Sequence, residues 1–220
     1  MWSDSDKKDM IQQYVSQFTK YGHDIRSLLW GGKKNRQFLR FKILTEIGNL
    51  SGSSVLDVGC GFGDMYDFLK VNFKDIYYTG VDIVPDFIKI AHKEYFNVDF
   101  RVLDILNDPI KEKWDYIFVS GLFNRSLASG ANKFFKEAMI RKMFEIANKG
   151  IAANFLSTYV DFRLPEASHI DPMLIFQFCK SLSKRISLRH DYMPYEFTIY
   201  AYKNDHINDR SIFSDYLINK

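Results

Sequence analysis

The stretch Val55-Leu56-Asp57-Val58-Gly59-Cys60-Gly61-Phe62-Gly63-Asp64 constrains this chain most: an apolar β-run that breaks into a turn with glycine at every second position. A strand running into a glycine-rich turn and a helix start is how doubly wound α/β folds bring backbone against a cofactor. The spacing narrows the choice. Dinucleotide sites read G-x-G-x-x-G, where the third glycine lets the helix pack close beside a pyrophosphate. Here the pattern is G-x-G-x-G, with Met65 and Tyr66 following, a turn suited to a cofactor that carries no pyrophosphate. The next strand-like run, Tyr77-Tyr78-Thr79-Gly80-Val81-Asp82-Ile83, closes on an acid able to accept two ribose hydroxyls.

Strand-like and helix-like runs alternate from residue 51 onward. That alternation predicts an α/β fold, a doubly wound, mostly parallel sheet with helices on both faces. Seven strands are expected, at 55–59, 77–83, 99–105, 114–120, 150–157, 185–192 and 196–203. Helices fall near 64–72, 85–95, 132–148 and 171–182. Only Met193-Pro194-Tyr195 separates the last two strands. So short a link forbids a parallel crossover, and the last strand must run antiparallel. Two helical patterns, 9–20 and 34–48, precede the sheet and read as a cap or lid, with the turn Leu28-Leu29-Trp30-Gly31-Gly32 between them. The expected organisation is one domain over 1–220: a helical cap (1–50), a Rossmann-like core (51–203) and a C-terminal tail (204–220).

The two motifs, Asp57 to Gly63 and Gly80-Val81-Asp82, resemble those of the class I S-adenosylmethionine (SAM)-dependent methyltransferases, and the resemblance runs over roughly residues 51 to 203. It implies SAM as cofactor, S-adenosylhomocysteine as product, and the sheet with one antiparallel strand that the spacing predicts independently. It also implies a set of contacts. Asp57 and Gly59 would meet the ammonium, with Cys60, Gly61 and Gly63 forming the backbone cradle. Asp82 would hold the ribose and Ile83 pack on the adenine. Asp104 and the Ile105 amide would bond the adenine edge, and Ser120 and Gly121 would line the methionine arm. Arg40 is the candidate cation for the SAM carboxylate, and Trp30 a candidate wall of the pocket.

Acceptor groups belong at the carboxyl ends of the later strands. The loop after the fourth strand supplies Phe123 and Asn124 and lacks the Pro-Pro pattern by which many nucleobase methylators hold a planar amino group. The loop after the fifth strand carries Tyr159, Arg163 and His169. His169 is the candidate general base, or else the cap of the helix beginning at Asp171-Pro172; Tyr159 is a second catalytic candidate. Arg163 and Tyr195 are candidate acceptor contacts. Lys33, Lys34, Arg36, Arg125 and Arg163 favour an anionic acceptor.

Bulk properties limit the rest. The 220 residues carry 30 basic and 27 acidic side chains, net +3, which demands no polyanionic partner. No window of roughly 18 apolar residues is present to span a membrane. Two distant cysteines fit a reduced, cytoplasmic chain better than a disulfide framework. No Cys/His cluster has metal-ligand spacing, and no single-stranded stacking platform is legible, which argues against a nucleic-acid partner. The expected partner is a small-molecule acceptor, with the protein a monomer or homodimer. RNA or protein methylation, and SAM binding without catalysis, are the competing readings.

Overall fold

A computed structural model of the chain describes residues 2–29, 34–208 and 212–216. The elements in chain order are α1 (Asp4–Tyr21), α2 (Lys34–Thr45), β1 (Ser54–Val58), α3 (Asp64–Asn72), β2 (Tyr77–Asp82), α4 (Pro85–Glu94), β3 (Asp99–Val102) and β4 (Trp114–Val119). Then come α5 (Asn132–Ile146), β5 (Ala147–Ser157), β6 (His169–Ile170), α6 (Pro172–Lys180), β7 (Ile186–Met193) and β8 (Glu196–Tyr202), with a small hairpin of β9 (Ile207–Asn208) and β10 (Ile212–Phe213). One-turn 3-10 helices at Ile25–Leu28 and Leu122–Asn124 interrupt two of the connections.

The sheet runs β3-β2-β1-β4-β5-β8-β7. β1 to β5 pair in parallel, and β8 is antiparallel to both β5 and β7. The expected hairpin is therefore present and turns about Pro194-Tyr195. Burial on both faces explains why β1 and β4 read as continuous apolar runs. Leu56, Val58, Ile117 and Val119 face one core with α5, while Val55, Tyr116 and Phe118 face the other with α2 and α3. Helix starts follow local chemistry. Asp171 accepts from the Met173 amide ahead of Pro172, and Ser3 accepts from Asp6 N ahead of α1, both N-caps that satisfy orphan donors.

Three features differ from the sequence expectation. α1 is longer than 9–20, because Ser3 caps it and the helix begins at Asp4, five residues before the apolar pattern. β6 is an extra two-residue strand that pairs with Leu156 and Ser157, on the opposite side of β5 from β8. The described part of 204–220 is not a bare tail: it forms the β9–β10 hairpin and a 3-10 turn at Ser214–Tyr216. Strand order reverses between β1's two neighbours, β2 and β4, and ligands of open α/β sheets bind in the crevice beyond such a point.

Candidate active site

Beyond the ends of β1, β2 and β4 lies a cleft lined by Asp57, Gly59, Gly61, Asp82, Ser120 and Gly121, with Ile83, Leu103 and Ile105 as its apolar side. Asp57 is 2% exposed. Burial pushes its carboxyl up to about 7, against the stabilising bond from the Tyr78 hydroxyl at 2.8 Å, and the charges acting on it, Asp82 and Asp64, are both negative. Such a carboxylate is a seat for a cation. Burial likewise raises Asp82 to about 6 while the Val84 and Gly61 amides hold its two oxygens at 2.9 and 3.0 Å. Those bonds fix the acid at the mouth of the glycine turn. Gly61 has φ +57°, and a Cβ there would lie 2.9 Å from Leu28. Ser120 Oγ is buried with no partner.

These features fit SAM. A buried acid awaits an ammonium, a second awaits a diol, an orphan hydroxyl lies along the methionine arm, and aliphatic walls suit an adenine.

A second cavity of about 980 Å³ opens beside the cleft and shares Tyr14, Leu28 and Gly121 with it. Its walls include Asn124, Arg125, Tyr159, His169 and Tyr195. Asn154, wholly buried in β5, holds Gly121, the residue that borders both spaces. Its Oδ1 accepts from the Gly121 amide at 2.8 Å, and its Nδ2 donates to Glu196 Oε1 at 2.8 Å.

A methyltransferase-domain family matches residues 55–154. The candidate methyltransferase Rv1506c of Mycobacterium tuberculosis (strain ATCC 25618 / H37Rv) is 32% identical over 158 residues, which cover 68% of this chain and 93% of that protein. The chain belongs to the class I SAM-dependent methyltransferases. Solved structures share the methyltransferase fold. Magnesium protoporphyrin IX methyltransferase from Synechocystis PCC 6803, with bound SAM, superposes with TM-score 0.65 at 16% identity, covering 92% of this chain and 99% of that one. A DhpI-SAM-HEP complex superposes with TM-score 0.66 at 14% identity, covering 91% and 99%. SAM is the cofactor of this methyltransferase.

The structure sorts the sequence candidates. Asp57, Gly59, Cys60, Gly61, Asp82, Ile83, Asp104, Ile105, Ser120 and Gly121 all border the cofactor cleft. Gly63 does not. It turns the chain into α3 and faces Phe100, 2.7 Å from where its Cβ would stand. Arg40 also lies elsewhere: it borders the second cavity, and its Nε donates to both oxygens of Glu196 at 2.7 and 2.8 Å. Its charge is spent on a carboxylate of its own fold. Trp30 lies outside the described residues.

Of the acceptor candidates, Phe123 is core, 1% exposed and stacked on Phe155 at 4.8 Å. Arg163 is exposed, donates to the Thr158 carbonyl at 3.3 Å and does not border the cavity. His169 does not cap α6, since Asp171 does. It sits in β6 with Nδ1 2.7 Å from the Ser157 carbonyl. A carbonyl only accepts, so Nδ1 carries the proton and a neutral ring leaves Nε2 with its lone pair.

Sequence reasoning missed Trp2, Met10 and Tyr14, which border the cofactor cleft from the α1 side. It also missed Gln37, which borders the cleft with Nε2 3.2 Å from Asp64 Oδ2. Asn154 was findable: one amide inside the apolar run Ile151-Ala152-Ala153-Asn154-Phe155 is a buried polar group that must have partners.

Proposed function

We propose that this methyltransferase moves a methyl group onto an oxygen or nitrogen of a small anionic metabolite, phosphorylated or of nucleotide-sugar type, seated in the cavity beside the cofactor cleft. The observation that carries the reading is Arg125. It borders that cavity, its terminal nitrogen reaches Gln13 Oε1 at 3.0 Å, and its Nε–H is buried with no partner. A guanidinium on the cavity wall with one donor left unpaired favours an oxyanion as the cavity's occupant. Arg36, which also borders this cavity and lies over the ring of Tyr195 at 5.9 Å, supports it.

Bound SAM supplies an already activated methyl group. The protein's own work is to align the acceptor, exclude water and, for a hydroxyl or amine, take a proton. His169 is the base in this reading, because its Nδ1 bond to β5 fixes the ring and turns the basic nitrogen away from that strand. Tyr159, on the same wall, is a second polar contact for the acceptor. Asn154 holds Gly121 where the two cavities meet, so their shared border keeps its shape while both ligands bind. In this reading Asp57 holds the ammonium, Asp82 the ribose and Asp104 the adenine amino group.

The test is to incubate the enzyme with methyl-labelled SAM and a cell extract, then separate small molecules from precipitable polymer. Label in the small-molecule fraction, lost with Asp82→Ala, is the expected result. Label in the polymer fraction moves the acceptor to RNA or protein and sinks the proposal. Retention of label with Asp82→Ala would overturn the ribose assignment.

A further inference from the structure

The cofactor cleft is tight. Its free volume is about 90 Å³, against roughly 300 Å³ at the small end of sites that enclose a ligand of drug size. Part of the cover comes from α1 and the residues leading into it, which contribute Trp2, Met10 and Tyr14 to the lining. What holds that segment down is Asp104 itself. The Trp2 indole Nε1 donates to Asp104 Oδ2 at 3.1 Å, and Lys7 Nζ lies 2.9 Å from the same oxygen. Asn107 Nδ2 donates to Oδ2 at 2.9 Å, and the Leu106 amide donates to Oδ1 at 3.1 Å. A carboxylate oxygen accepts at about two lone-pair sites, so the three donors on Oδ2 leave that oxygen no place for another, while Oδ1 carries only the Leu106 amide.

Two of these four donors belong to the turn that Asp104 caps and cannot leave without breaking it. The other two come from about a hundred residues away, on a segment otherwise pinned by Asp6, which accepts from the Ser129 amide and hydroxyl at 3.1 and 2.9 Å. The Trp2 ring lies on Phe135, with centroids 4.6 Å apart, and Phe135 is itself part of the cleft wall.

We propose that Trp2 and Lys7 form a latch on the adenine-binding acid: in the cofactor-free enzyme the indole N–H takes the carboxylate oxygen that the adenine amino group needs, so SAM enters by displacing it. The inference rests on the assignment of Asp104 to the adenine. Cofactor binding and closure of the segment then compete for one carboxylate. The covering segment reports an empty site by filling its most specific hydrogen-bond acceptor.

The test uses S-adenosylhomocysteine as probe, titrated calorimetrically into the full chain and followed by stopped-flow tryptophan fluorescence. Trp2→Phe keeps the ring on Phe135 and removes the N–H. It is expected to tighten binding by up to about tenfold, chiefly through faster association, and to abolish the part of the fluorescence change that Trp2 contributes. Lys7→Met, which keeps the aliphatic stem, should shift affinity the same way. Equal or weaker binding by both variants overturns the latch and makes Trp2 a fixed wall. Asp104→Asn in the Trp2→Phe background isolates the adenine's share, with at least a tenfold loss expected. Undiminished affinity there overturns the adenine assignment itself, a failure distinct from that of the latch.

Discussion

At the scale of single residues, Asp57, the acid proposed to meet the SAM ammonium, is buried with no cation beside it among the described residues. Loss of water raises its carboxyl from 3.8 to about 7, more than the Tyr78 hydroxyl offsets. A carboxyl whose folded value is raised binds its proton more tightly in the folded chain. Its contribution to stability is complete below about 3.8 and is lost as pH rises through about 7. The cofactor-free enzyme therefore loses stability from this group between those values, and an ammonium beside the carboxylate restores it. Two outcomes follow for S-adenosylhomocysteine. Its affinity should fall as pH falls from 8 to 6, and binding at pH 6 should release up to about one proton, fewer toward pH 8. Calorimetry in buffers of differing ionisation enthalpy reads this directly. Proton uptake at pH 6 would mean that Asp57 does not meet the cation.

At the scale of elements, what was legible in the sequence is what local chemistry dictates. The glycine turn, the acids ending β1 and β2, and the β7–β8 hairpin all depend on a few neighbouring residues, and each was readable. Partnerships across the sequence were not. Nothing near Arg40 marks Glu196 as its partner, since the two meet only when α2 packs across the sheet onto β8. The pair sits inside the fold, at 8% and 0% exposure, with Asn154 completing the satisfaction of Glu196. Removing one member of a buried pair strands the other's charge, at a cost of about 3–5 kcal/mol. Arg40→Met should lower unfolding free energy by about that much in urea titrations, and adding Glu196→Leu should recover a large part of it. An Arg40→Met enzyme of ordinary stability that binds cofactor poorly would return Arg40 to the cofactor carboxylate. His169 teaches a similar lesson: its strand exists only because β5 runs far enough beyond β4 to pair with it, which no local pattern announces.

At the scale of the whole molecule, the two ligand spaces share walls that are not built from the same material. β4 and β5 are buried on both faces, whereas α1 buries only Asp6 and Met10 of its 18 residues. The apolar pattern of α1 was readable as a helix, but its destination was not, because the contacts that aim it are with Asp104 and Ser129, far along the chain. An element with so little buried surface opens at lower free-energy cost than the sheet it covers. Native-state hydrogen exchange should show this as α1 amides exchanging about 100-fold or more faster than those of β4 and β5, with rates insensitive to low denaturant. Saturating S-adenosylhomocysteine should slow β4 and β5 by a common factor, the mass-action stabilisation of the folded state. The rates over Met10 to Leu28 should change by a different factor, because Met10, Tyr14 and Leu28 border the cleft that the ligand fills. If α1 is as protected as β5 without ligand, the cover does not open on its own and the cofactor must enter from the acceptor side, past Gly121 and Tyr14.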